Sequence, residues 1–174
     1  MINENLKLSG QLNIVLKDKD GNVKDTREVK NLVVNAGLGY IASRMKDAAT
    51  TAMSHMALGS GTTAAAATDT DLVSILGSRE ALDSTTQGTA TCSDGQYTTK
   101  ATCTGAGETW TDNTNKLTYV ASFEAGDATG AVTEAGIFNA STGGDMLCRT
   151  VFSVVNKAAD DTMTVTWTIT LSAV

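Results

Sequence analysis

A mainly β fold, an antiparallel β-sandwich or jelly-roll-like domain with one or two short helices and a long polar hairpin insertion, is predicted from three features of this chain. The first is unbroken alternation near its end. Met163, Val165, Trp167, Ile169 and Leu171 fall on one side of a period-2 pattern and five threonines on the other, which marks a strand with one buried and one hydroxyl-covered face. The second is the recurrence of such segments at hairpin spacing, roughly seven in all. The third is composition: 16 glycines and no proline leave the turns to Gly, Asn and Asp, and aromatics make up only 5%. Ala and Thr fill the space that larger residues usually take, which favours flat, closely packed β-surfaces. The 174 residues suffice for a single β-domain, 1–174, with a genuine core.

Leu6, Leu8, Leu12, Ile14 and Leu16 give the first strand a buried face. Asp18-Lys19-Asp20-Gly21-Asn22 supplies the turn, and Val23 to Val34 returns as the second strand of a hairpin. Asn35 is the expected N-cap of a short amphipathic helix with Leu38, Ile41, Ala42 and Met45 on its apolar face, ending near Lys46 or Asp47. Met53 to Leu58 is a short strand that runs into Gly59-Ser60-Gly61. An Ala/Thr connector follows, then a helical turn marked by Leu72, Ile75 and Leu76, and a strand near Arg79 to Leu82. Residues 83–113 lose nearly all apolar character and form an exposed, Cys-bearing insertion. Strands resume at Lys116–Phe123, Ala131–Phe138, Met146–Val155 and the final threonine segment. The last of these is expected to pack against Phe123, Phe138 and Phe152.

A net charge of −6 with scattered basic residues argues against a nucleic-acid partner. No apolar run approaches the ~20 residues of a membrane span. Met1 to Lys7 also lacks the apolar core of a signal peptide. A soluble product of the cytoplasm, without membrane association, is expected.

The candidates for chemistry each meet an ordinary explanation. His55 is the only histidine, so the chain cannot assemble a site needing two. Asp18, Asp20 and Asn22 resemble a calcium loop, but the EF-hand's bidentate Glu position falls on Val29, which favours a turn. Gly59-Ser60-Gly61-Thr62-Thr63 lacks the lysine of a phosphate loop and the helix of a nucleophile elbow. Asn139-Ala140-Ser141 fits the short N-glycosylation pattern. Cys148 reads as a small buried residue on a strand. Cys92 and Cys103 are too few for a zinc site. In a polar loop with almost no core they gain most from a cross-link, of order 3 kcal/mol, so a disulfide is expected over free thiols. Glu134 stands among apolar residues, and Arg149 on the next strand is its candidate partner in a structural ion pair rather than in catalysis. No catalytic residue, metal site or cofactor is predicted.

Several segments in order then carry a resemblance. They are Asn31-Leu32-Val33-Val34-Asn35-Ala36-Gly37, His55 to Thr63, Asp69 to Leu72, Arg79-Glu80, Lys116 to Phe123, Glu134 to Asn139, Arg149 to Phe152, and Lys157 with the terminal threonine strand. Together they resemble bacteriophage tail-fibre or tail-collar-fibre proteins, in particular the N-terminal module by which some fibres attach to a baseplate. The resemblance implies a non-enzymatic virion protein, a homo-oligomeric subunit that docks on other phage structural proteins after assembly in the host cytoplasm. The insertion between Leu82 and Lys116 is extra to that pattern, and a domain without a shaft or receptor-binding region is expected. Two other functions are weighed beside it. One is a capsid decoration (cement) protein, which a compact β-domain suits. The other is an adhesin for a host-surface glycan, for which only Tyr97 and Trp110 offer an aromatic platform.

Overall fold

A computed structural model of the chain describes residues 6–46 and 51–173. Its strands are β1 (Leu6–Lys17), β2 (Val23–Val33), β3 (His55–Gly59), β4 (Glu80–Ala81), β5 (Ser84–Gln87), β6 (Thr91–Cys92), β7 (Trp110–Thr111), β8 (Lys116–Phe123), β9 (Gly130–Phe138), β10 (Met146–Lys157) and β11 (Thr162–Ala173). The helices are α1 (Asn35–Met45) and α2 (Lys100–Gly105). Nine strands form one antiparallel sheet in the order β4-β3-β9-β10-β2-β1-β11-β8-β5, strongly curled into a half-barrel, and β6 and β7 form a small separate hairpin. The sheet is continuous because β2 pairs with β1 along most of its length and with β10 through Leu32 and Val33.

The alternating segments set this arrangement. β1 and β11 are zipped together from Leu6↔Ala173 to Lys17↔Thr162, and β8 lies on the far side of β11. One cross-strand row therefore runs Leu12–Trp167–Tyr119, with all three side chains buried. Leu12, Ile14, Leu16, Phe123, Met163, Val165, Trp167 and Ile169 face Val132, Ala135, Ile137 and Phe152 across one core. Burial pushes the Tyr119 hydroxyl up to about 12. The threonines of β11 lie on the opposite side and are half-buried, with Thr168 within hydrogen-bonding distance of Thr118 at 3.3 Å.

The β1–β2 turn is closed by Asp18, whose carboxylate accepts the Asp20 and Asn22 backbone N–H groups at 2.9 Å each. Gly21 takes the left-handed φ of 85° there.

Four local expectations are corrected. The N-cap of α1 is Val34, not Asn35, whose N–H instead donates to the Ala67 carbonyl at 2.8 Å. The buried face of α1 is set by Gly37, where a Cβ would collide with the Leu147 carbonyl, and by Tyr40 and Ile41. Leu38 and Met45 are consequently exposed, and Asp47 lies outside the described residues. Leu72, Ile75 and Leu76 form no helical turn, because each goes to a different neighbour. Leu72 covers Gly136, Ile75 bridges to Gly59, and the Leu76 N–H donates to the Leu58 carbonyl. Phe138 does not join the core under β11 but a second cluster with Val34, Ala57 and Met146.

The insertion begins by extending the sheet. Ser84–Gln87 pairs with β8 as a short polar edge strand, and the Gly88 N–H donates to the Lys116 carbonyl. Beyond Gly88 the chain leaves the sheet, makes β6, α2 and β7, and returns at Asn113.

Candidate functional site

β9 is buried on both faces over Glu134–Phe138, as are its neighbours β3 over Met56–Gly59 and β10 over Met146–Thr150, in contrast to the one-sided β8 and β11. Ala135 and Ile137 point into the core. Glu134, Gly136 and Phe138 point the other way, where the 60–79 segment lies across them.

Glu134 organises that layer. Its Oε1 accepts the N–H groups of Gly61 (3.0 Å) and Ser74 (2.8 Å), and its Oε2 accepts that of Val73 (3.1 Å). Arg149 completes the set from β10, donating from Nε and Nη2 to Oε2 at 2.9 and 2.7 Å. Both side chains are fully buried. The rest of the guanidinium holds the connector, with Nη1 donating to Asp69 at 2.7 Å and Nη2 to the Thr63 carbonyl at 3.0 Å. A charge this far from water is tolerable only when hydrogen bonds occupy its lone pairs, and here they do. The same layer explains Gly59 and Gly61, since a Cβ at Gly59 would run into the Ser74 carbonyl and Glu134, and one at Gly61 into Glu134 and Val73. The Gly-Ser-Gly segment thus packs over an anion of its own chain.

Burial pushes the Glu134 pKa up, but the Ser74 N–H, Arg149 and the Val73 and Gly61 N–H groups outweigh it and hold the group below its ordinary 4.5. Asp69 is likewise held below 3.8, with burial opposed by the Ala66 N–H and Arg149. A lowered folded-state pKa means that the unfolded chain takes up protons first as pH falls. The stabilisation is therefore complete above about pH 5 and is lost as pH drops through 4 towards the folded values. Urea midpoints should fall steeply between pH 5 and pH 3, and Glu134→Gln should flatten that dependence while lowering stability at pH 7. An unchanged slope in the variant would remove Glu134 from the account.

Two further cationic anchors enter the sequence reading only as elements of the resemblance, with no role assigned to them. Arg79 lies 3.5 Å over the Phe138 ring, donates to the Ala140 and Gly143 carbonyls, and pairs with Asp71 at 3.0 Å. Lys157, almost wholly buried, donates to the Glu124 and Asp161 carbonyls at 2.8 and 2.7 Å. Burial lowers its pKa, with Asp127, Asp161 and Glu124 opposing. The Asp161 carboxylate in turn takes Lys24 at 2.6 Å. No sequence spacing marks these anchors, because most of their partners are backbone carbonyls.

Cys92 and Cys103 are joined by a disulfide with Cα atoms 5.8 Å apart. The bond ties β6 to α2, and Cys103 is fully buried beneath it. Reduction, or Cys103→Ser, should open residues 89–113 to proteolysis while shifting the main thermal transition by no more than about 2 °C, because this region lies outside the core. Cleavage inside β1 or β11 on reduction would contradict that separation.

The other candidates have local partners. His55 Nδ1 lies 2.8 Å from the Ser54 hydroxyl. Asn139 is buried, and its amide is bonded to Asp145 within the β9–β10 turn. Cys148 is fully buried, and burial holds its thiol well above the usual value. Tyr97 and Trp110 are both half-buried, and Trp110 pairs with Cys92 in the small hairpin. Among the described residues no helix is long and apolar enough to cross a membrane. Compared with protein-family models, curated proteins and solved structures, the chain matches none.

Proposed function

We propose that this chain is a non-enzymatic bacteriophage virion protein, a self-assembling or docking subunit of the tail or fibre attachment apparatus. The observation that supports this reading most is the meeting of sequence-distant segments in one buried layer. Gly59–Gly61, Asp69–Leu72, Arg79, Glu134–Phe138 and Arg149, all segments of the tail-fibre resemblance, lie together on the outer face of β9 and β10. Their charged groups are spent on holding a covering segment down, which suits a durable surface rather than turnover. The architecture fits the same role: we read the curled sheet as a jelly-roll-like sandwich whose two halves close on one core.

Antibody labelling of intact particles under the electron microscope tests the function. Label at the tail in a few copies per particle is the expected result. Label over the whole head surface would make the chain a decoration protein instead, and its absence from purified particles would overturn the virion reading. A glycan array, with Trp110→Ala as control, separates the adhesin reading, which predicts binding that the variant loses.

A further inference from the structure

Between Val23 and Val29 strand β2 pairs with β1 alone, because β10 parts from it beyond Leu32 and Val33. The Thr150 hydroxyl still reaches the Lys30 carbonyl at 2.8 Å. Past that bond the two strands splay around an open cleft of about 670 Å³ bordered by Arg27, Glu28, Val29, Val151, Phe152 and Ser153. The outer edges of the sheet are blunted by contrast, since β4 has two residues and β5 has four polar ones. Apart from a bulge at Lys24, where Leu16 and Lys17 of β1 face Asp25 and Val23, this stretch of β2 is extended and has no strand paired to its outer edge, and such an edge is a template for another strand.

The order of residues on it selects the partner. Val23-Lys24-Asp25-Thr26-Arg27-Glu28-Val29 is a charge palindrome: read backwards, every sign inverts about Thr26. Laid antiparallel on a second copy, with Thr26 opposite Thr26, the segment sets Asp25 against Arg27, Lys24 against Glu28 and Val23 against Val29, each twice. Moving the axis to Arg27 opposes Arg27 to itself and Lys24 to Lys30, and moving it to Asp25 opposes two aspartates. One register alone is complementary throughout. In the single chain Asp25 and Arg27 already pair at 2.6 Å, and Lys24 holds Asp161. Glu28 makes no ion pair among the described residues, and Val23 is 57% exposed. Pairing would turn the Asp25–Arg27 contact into an alternating quartet and set Glu28 beside Lys24, whose ammonium it would share with Asp161.

We propose that this protein self-associates through a two-fold antiparallel pairing of residues 23–29 with the same residues of a second copy, merging two sheets into one. The proposal rests on the self-assembly part of the reading above and names its surface. Seven paired residues span only about 23 Å, a small contact beside the ~800 Å² per partner of a standard interface. Association is therefore sought at high protein concentration and low salt.

Sedimentation equilibrium of the whole chain tests it with a charge swap. Arg27→Asp should weaken association about ten-fold or more, since it sets like charges opposite each other twice. Adding Asp25→Arg should restore it. Oxidation of Thr26→Cys should trap a covalent dimer, because facing residues of an antiparallel pair approach to disulfide distance. Oxidation of Ser9→Cys, on neighbouring β1, should not. If wild type and all charge variants associate equally, the strand pairing is overturned and self-assembly by another face stands. A wild type that remains monomeric on the order of 1 mM overturns the pairing and, with it, self-assembly of the free chain. Particle labelling still decides the virion reading in that case.

Discussion

Arg149→Met is expected to cost about 3–5 kcal/mol, a large share of the total stability of a domain this size. The reason lies in what the substitution leaves behind. Glu134 stays fully buried with only backbone N–H donors, and Asp69 and the Thr63 carbonyl lose their tether to β10. Arg149→Lys should recover little, because an ammonium cannot present the flat fork that reaches Glu134, Asp69 and Thr63 at once. Removing the carboxylate too, in Glu134→Leu with Arg149→Met, would strand the Gly61, Val73 and Ser74 N–H groups, so the double variant should stay well below wild type. Urea unfolding measures all three variants. A loss below about 1 kcal/mol for Arg149→Met would show that the connector is held by something else.

Trp167→Ala is expected to cost a similar 3–5 kcal/mol by a different route. Trp167 is the largest fully buried side chain, fixed between Leu12 on β1 and Tyr119 on β8, and its removal leaves a void at the middle of the curled sheet. Trp167→Phe should cost less than about 1.5 kcal/mol. The smaller ring keeps most of the apolar contact and removes an indole N–H that has no acceptor among the described residues. The contrast between the two variants, read by thermal unfolding, separates volume from polarity. Equal losses would mean that the N–H matters more than the geometry indicates.

These two residues also mark where the sequence is transparent and where it is not. Trp167 belongs to a clean period-2 run, and such runs gave the faces of β1, β8 and β11 and the turn that pairs β1 with β2. Arg149 could be matched to Glu134 because adjacent hairpin strands bring them together. The rest of that site was hidden, because its donors are the backbone N–H groups of Gly61, Val73 and Ser74, which any residue type could supply. Leu72, Ile75 and Leu76 mimic helical spacing by coincidence, as each is claimed by a different neighbour. Leu38 and Met45 were assigned inward because apolar residues at helical spacing usually are. On α1 the closest contact is made instead by the residue without a side chain, Gly37.

The place of β11 between β1 and β8 bears on how the chain is made. It is the last of the described strands to leave the ribosome, yet β1, among the first, pairs with it along its whole length. Until β11 arrives, β1 and β8 have no common neighbour, and the apolar faces of Leu12, Ile14 and Phe123 have nothing between them. The nascent hairpin must therefore wait exposed through most of translation, and the closing half of the sheet forms only after synthesis has passed Ala173.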